Sequence, residues 1–168
     1  IRRFASSEIQ PHAHSWSEAQ EFPRSLYAAA ARAGLLGVSF AEEVGGGGGD
    51  LGHVLAAGDE MVLAGHSVGT SAGLSTHLIA LPPILAAGSP EQIQRFVPPV
   101  LRGEHIAALA ITEPGGGSDV AAIQTRARRE GDSYIVNGAK TFITSGCRAD
   151  IVTTCLLYTS PSPRDATL

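Results

Sequence analysis

Lysine is nearly missing from this 168-residue chain: 12 residues are Lys or Arg, and Lys140 is the one lysine among them. With alanine and glycine abundant, the arginine excess reads as codon bias rather than function. Cysteine is scarce as well. Cys147 and Cys155 stand at neither a metal-type nor a thioredoxin-type spacing, which argues against a disulfide framework and leaves free thiols in a reducing compartment as the expectation. Positive charge is not in excess, since the formal charge is -4 with 17% charged residues; no nucleic-acid partner is expected. The most apolar stretch, Leu78 to Ala87, is interrupted by Pro82-Pro83 and falls far short of the roughly 20 residues that span a bilayer. No membrane association is expected. An initiating methionine and an apolar signal core are lacking too, because Ile1 opens directly in a polar helical pattern. A truncated N-terminus is the expectation, with a cytoplasmic location as the default. What is present is a chain 43% hydrophobic, able to bury one good core or two small ones that lean on each other.

Up to about residue 103 the helical period dominates. Phe22-Pro23 opens a run in which Leu26, Ala30 and Ala33 share a face, and Gly34 stops it as a C-cap glycine does. Leu51, Val54, Leu55, Gly58, Met61, Val62 and Gly65 keep the three-and-four spacing of a second helix, whose small members admit a close backbone neighbour. A third, proline-interrupted helix is predicted over residues 67–87. Ser89-Pro90-Glu91-Gln92 then sets an N-cap serine, a first-turn proline and a capping-box glutamine ahead of Ile93, Phe96 and Val97. After Gly103 the period changes. Ile106 to Ile111 reads as a buried strand, Ile123 to Arg129 alternates weakly, and Tyr134-Ile135-Val136, Ala139 to Thr144 and Ile151 to Thr154 continue as a meander of short strands. The chain thus divides into a helical domain at 1–104, a partial β domain at 105–154, and a tail at 155–168. That serine- and proline-rich tail resembles translated sequencing-adapter read-through and is expected to be poorly ordered.

Two segments carry chemistry. Thr112-Glu113-Pro114-Gly115-Gly116-Gly117-Ser118-Asp119 permits positive φ and leaves successive backbone N–H groups to point at one anion, a nest suited to a pyrophosphate, with the Ser118 hydroxyl beside it. On loop chemistry alone, an ordinary glycine-rich turn is the simpler account. The loop is not a Rossmann fingerprint, since Val120 to Arg129 does not read as a capped helix, and no Gly-Lys-Ser/Thr follows to make a Walker loop. Downstream, Lys140 to Gly146 includes Phe142, Ile143 and Thr144, which can offer a flavin an aromatic wall and a donor near its reducible nitrogen. Taken alone, this is a plain strand. The six histidines suggest no metal site: His12 and His14 are two apart, and His53, His66, His77 and His105 are isolated.

Read together and at their spacing, the two segments resemble the flavin-binding face of the acyl-CoA dehydrogenase family. The likeness extends from about Arg2 to Thr154 through Ala33-Gly34-Leu35-Leu36-Gly37-Val38, the Glu42 to Asp50 glycine string, the Ser89 helix start and Pro98-x-x-Leu101-x-Gly103-Glu104. Family members are at least about twice this long. The resemblance implies an α+β fold, an N-terminal all-α helical domain followed by the first strands of a β-barrel-like middle domain. It implies oxidation of an acyl-CoA to the trans-2-enoyl-CoA with FAD as hydride acceptor, an electron-transfer flavoprotein as redox partner, and a homotetramer in the full-length enzyme. Thr112 and Thr144 would bond the isoalloxazine, Leu109 and Ile111 would add backbone or packing contacts, and Phe142 with Ile143 would form the wall. Gly117 and Ser118 would serve the phosphate or substrate side, and His77 would lie near the acyl chain. Phe142 stands where many members carry tryptophan. It matches a variant of long-chain members, as Ile9-x-Pro11-His12 does. The proton-abstracting glutamate comes from a C-terminal helical domain that these residues do not include, so none of Glu42, Glu43, Glu60, Glu104 and Glu113 is nominated as the base, and Glu113 is assigned to holding the loop. An acyl-CoA oxidase or flavin monooxygenase of the same fold, or a catalytically inactive fragment, are the alternatives.

Overall fold

In the computed structural model, which describes residues 1–159, the helical period of the first hundred residues resolves into short helices joined by tight turns. Helix α1 (Arg2–Phe4) passes through a π turn and a 3-10 turn into α2 (Ala13–Ala19). Helix α3 (Ser25–Arg32) buries Leu26, Tyr27 and Ala30, and the chain leaves it through Gly34 at φ +79°, as the glycine predicts. Helix α4 (Leu51–Gly65) starts at Asp50, whose side chain accepts from the His53 N–H, and buries Ala57, Met61 and Gly65. Gly65 does admit a close neighbour: a Cβ there would stand 3.3 Å from Ile9 Cγ2. Leu51, Leu55 and Leu63 of the same helix are exposed, so the apolar period marks the helix better than it marks the buried face.

The single helix predicted over residues 67–87 is three: α5 (Val68–Leu74), α6 (His77–Ala80) and α7 (Pro82–Ala87). By length, 20 residues, and mean hydropathy, 1.2, Val68–Ala87 could cross a bilayer. It is not continuous, however: a turn at Ser75 and Thr76 and a bend at Leu81 divide it, and Leu74, Ala80 and Leu81 are fully buried against the rest of the helical domain. Helix α8 (Pro90–Leu101) carries both halves of its capping box, with Ser89 Oγ accepting from the Gln92 N–H at 3.3 Å and Gln92 Oε1 accepting from the Ser89 N–H at 2.8 Å.

Two small cores form. Ile9, Leu26, Leu36, Met61 and Leu74 build one, and Phe40, Leu81, Val97 and Val100 the other. Ile106 belongs to the first and Ala107 to the second, so the chain enters its β half already anchored in both. Arg24 strengthens this junction. It donates to the carbonyls of Arg148 (3.1 Å) and Glu104 (3.2 Å) and pairs with Asp150, whose Oδ2 also accepts from the Ile106 N–H at 2.8 Å.

The β half differs from the predicted meander. Strand β1 (Ala107–Ala110) pairs in parallel with β4 (Ile151–Thr154), while β2 (Arg126–Glu130) pairs antiparallel with β3 (Ser133–Asn137) and parallel with β5 (Leu157–Thr159). Among the described residues only β2–β3 is a hairpin, turning through Gly131 at φ +59°. Among the described residues these two sheets, β1-β4 and β3-β2-β5, do not close a barrel. Residues 139–144, expected to be a strand, are irregular, with a bend at Phe142 leading into a turn from Thr144 to Arg148, as Phe142 (φ +55°) and Ser145 (φ +64°) leave the extended region. Residues 157–159, set aside with the tail, supply β5; residues 160–168 lie outside the described residues.

Candidate functional site

The glycine loop is organised by Glu113 rather than by its glycines. The Glu113 carboxylate is 9% exposed and accepts from three donors: Gln124 N–H on Oε2 (2.7 Å), and Thr125 N–H (2.8 Å) and Lys140 Nζ (2.9 Å) on Oε1. The nearby Thr125 hydroxyl, itself without a partner of full hydrogen-bond geometry, the Lys140 ammonium and the two amides together hold the Glu113 carboxyl down to about 2. The loop-holding role read from the sequence is therefore met. The sign of the pH dependence follows. A carboxyl depressed from 4.5 to about 2 stabilises the fold above the unfolded value and loses that contribution as pH falls between the two. Glu113→Gln is expected to flatten this part of the acid limb in urea midpoints measured between about pH 5 and about pH 3; an unchanged acid limb would dissociate Glu113 from acid stability.

The nest geometry is only partly realised. Gly116 N–H is taken by the Glu113 carbonyl at 3.1 Å, and Gly116 O accepts from the Glu113 N–H at 3.0 Å, closing residues 113–116 as a tight turn. Gly115, Gly116 and Gly117 are also absent from the positive-φ glycines. Their use is space. A Cβ at Gly117 would stand 2.9 Å from Thr112 Cγ2, whereas nothing lies within 4 Å of one at Gly115 or Gly116. Ser118 is exposed beside them. A cavity of about 580 Å³ opens between this turn and Asn137-Gly138, with Thr125 in its wall.

The second segment lies directly against the first, because the Thr112 carbonyl accepts from the Thr141 N–H at 2.9 Å. Phe142 follows at 92% exposure, its ring outside the protein surface. Ile143 packs inward against the turn that its own carbonyl closes with Gly146 N–H at 2.9 Å. Thr144 is exposed and, with Ser145 and Arg148, lines a second cavity of about 460 Å³ against Trp16, Phe22 and Thr70. Leu109 leans on the Phe40 core. Since Ile106 and Ala110 direct their carbonyls to the β4 side, alternation along a parallel strand turns the Leu109 backbone to the opposite edge of β1, where the Ile111 carbonyl accepts from Lys140 Nζ at 2.7 Å.

A bulky residue at φ +55° is strained, and such strain persists only where the surroundings impose it. Both Phe142→Ala and Phe142→Gly remove the ring, but only glycine tolerates that φ. Phe142→Gly should exceed Phe142→Ala in denaturation free energy by about 1 kcal/mol; equal stabilities would show that the left-handed turn is not enforced.

His77, the other substrate-side candidate, is in a different place. It is 4% exposed, with Nδ1 3.0 Å from the Leu74 carbonyl and Nε2 2.8 Å from the Leu36 carbonyl. Burial pushes its pKa down, against the opposing pull of the two carbonyls. Both ring nitrogens face backbone carbonyls, and the neutral ring that burial favours has one N–H to donate to one of them; His77 is enclosed between the Leu36 turn and the end of α5. The sequence reading missed Lys140, whose signal was its isolation among arginines.

A helical domain thus leads into open β ladders, with a carboxylate-braced glycine turn seated against the left-handed backbone at Phe142. The chain belongs to the acyl-CoA dehydrogenase family: residues 1–104 match the acyl-CoA dehydrogenase N-terminal domain and residues 108–167 the middle domain. It is 41% identical over 153 residues to the mitochondrial long-chain specific acyl-CoA dehydrogenase of Sus scrofa, covering 90% of this chain and 35% of that protein. It superposes with a TM-score of 0.90 and 52% identity on a probable acyl CoA dehydrogenase of Mycobacterium abscessus, covering 95% of this chain and 43% of that one. An acyl-CoA dehydrogenase of Bacillus anthracis complexed with FAD matches at TM-score 0.84 and 32% identity, over 94% of this chain and 27% of that one. The chain therefore spans less than half the length of these relatives.

Proposed function

We propose that these residues are the N-terminal and leading middle-domain part of a flavin-dependent acyl-CoA dehydrogenase. The observation that carries this reading is the direct seating of the Phe142–Thr144 turn on the glycine loop through Thr141 and Lys140. FAD, when bound, supplies the two-electron acceptor by which an acyl-CoA thioester becomes the trans-2-enoyl-CoA, with an electron-transfer flavoprotein as the onward partner and a homotetramer as the assembly of the full-length enzyme.

The side chains present fit that group. Phe142 offers an exposed ring, Thr112, Thr144 and Ser118 offer hydroxyls, Leu109 turns its backbone to an open strand edge, and the Gly115-Gly116 turn stands in open space. Ile143 contributes from beneath, by holding the turn. None of the five glutamates weighed from the sequence is placed to abstract a proton: Glu113 is too acidic and holds three donors, Glu60 and Glu104 are paired with Arg2 and Arg102, and Glu42 and Glu43 stand on the surface of the helical domain.

Titration of the purified chain with FAD, followed by flavin fluorescence, tests the reading. Saturable but weak quenching is expected, with no dehydrogenation of an acyl-CoA in the presence of an artificial acceptor. Gly117→Ala should weaken binding about tenfold, or ~1.4 kcal/mol, because its Cβ displaces the Thr112 side chain. No quenching by the parent chain would count against the flavin face, and turnover would show that the base is already here.

A further inference from the structure

We propose that the Glu113–Lys140 pair is a positioning strut that fixes the glycine loop and the Phe142–Thr144 turn as one rigid flavin-facing surface. The proposal rests on the flavin reading above and deepens it by assigning the two residues that set the site's geometry without forming its face.

The geometry is specific. Lys140 Nζ donates to Ile111 O at 2.7 Å and to Glu113 Oε1 at 2.9 Å, so one ammonium bridges the residues on either side of Thr112. The next residue closes the clamp, as Thr141 N–H donates to Thr112 O at 2.9 Å. Two consecutive residues of one segment thereby fasten three consecutive residues of the other. Glu113 is in turn held by the amides of Gln124 and Thr125, which ties the clamp to the start of β2. Phe142 comes one residue after the clamp and Thr144 three, and the left-handed backbone at Phe142 starts where the clamp ends.

The pair's environment separates positioning from mere adhesion. The two side chains are 10% and 9% exposed, and a desolvated ion pair is seldom more stabilising than apolar residues of the same volume; fixing one arrangement is the role the proposal gives it. The residue type agrees. Every other Lys or Arg in the chain is arginine; a compact ammonium on a flexible stem can serve a carbonyl and a carboxylate at one point, where a planar guanidinium would need a wider opening.

The test is Lys140→Met in the 168-residue chain, read by amide NMR and by FAD titration. The expected result is a folded protein in which the Thr141 amide exchanges at least about tenfold faster, the Phe142 and Thr144 amide signals move, and FAD binds about tenfold more weakly with a shifted flavin absorption band. A variant that loses thermal stability but keeps those amide signals and the FAD dissociation constant within about twofold would reduce the pair to a staple and overturn the proposal. If the parent chain binds no FAD, the flavin reading fails on its own. The strut is then decided by the amide signals: movement at Phe142 and Thr144 supports it, and unmoved signals overturn it. Should Lys140→Met fail to fold, Glu113→Gln, which removes the charge at nearly constant shape, is read in the same way.

Discussion

Gly103→Ala is expected to cost the chain about 3 kcal/mol or more, summing a left-handed penalty of ~1–2 kcal/mol and an overlap penalty of ~1–3 kcal/mol. Gly103 sits at φ +71°, and a Cβ added there would stand 2.4 Å from the Tyr27 carbonyl oxygen and 2.7 Å from Ala28 N. Both obstacles are backbone of helix α3, so no rotamer change relieves them. The position also matters for the site. Gly103 ends α8 immediately before Glu104, whose carbonyl accepts from Arg24, and Arg24 also holds Arg148 and Asp150. Displacing it moves the junction that supports residues 144–148, so a loss of stability should come with disturbed Thr144 and Ser145 amide signals. Urea denaturation with the parent as reference measures the first effect. A variant within about 1 kcal/mol of the parent would mean that α3 and α8 yield without cost.

Local chemistry made the helical half legible. Ser89 and Gln92 announce a cap that the structure forms, and Gly34 stops α3 for a reason visible in its own φ. The breaks inside residues 67–87 were less readable: Pro82-Pro83 signals one, but the turn at Ser75 and Thr76 has no comparable local mark and is held by contacts distant in sequence, including His77 on Leu36. The same limit governs the site. Residues 139–144 read as a strand with Phe142 and Thr144 on one face and Ile143 on the other, yet Thr141 is captured by Thr112 and Phe142 is turned outward, a tertiary outcome that overrides β propensity. Three glycines suggested positive φ, whereas their observed use is the space that Gly117 leaves for Thr112. The parallel β2–β5 pairing joins residues about thirty apart and leaves no periodic trace for a local reading to find. Lys140 was visible as a compositional anomaly, but only the Ile111 carbonyl and Glu113 carboxylate around it show what it does.

The second large effect concerns the other side of the same junction. Gly73 is packed so closely on Phe22 that an added Cβ would stand 2.7 Å from Cε1 and 2.9 Å from Cζ of the ring, and Gly73→Ala is expected to cost about 2–3 kcal/mol by overpacking. The ring has little room to retreat. Trp16 and Tyr27 flank it at centroid distances of 6.2 Å and 5.7 Å, and the Arg148 guanidinium lies 4.8 Å over its face. Tyr27 adds a constraint by donating its hydroxyl to the Gly73 carbonyl at 3.0 Å, so the α5 backbone cannot shift away without breaking a buried bond. If the overlap is with the ring alone, Phe22→Leu should rescue Gly73→Ala, and the double variant should be more stable than the sum of the single losses predicts by at least about 1 kcal/mol. Additive losses would instead place the strain in the α5 backbone. Because Arg148 carries this packing to the turn that holds Thr144, Gly73→Ala should also perturb the Thr144 amide signal, whereas Phe22→Leu with Gly73→Ala should return it toward the parent position.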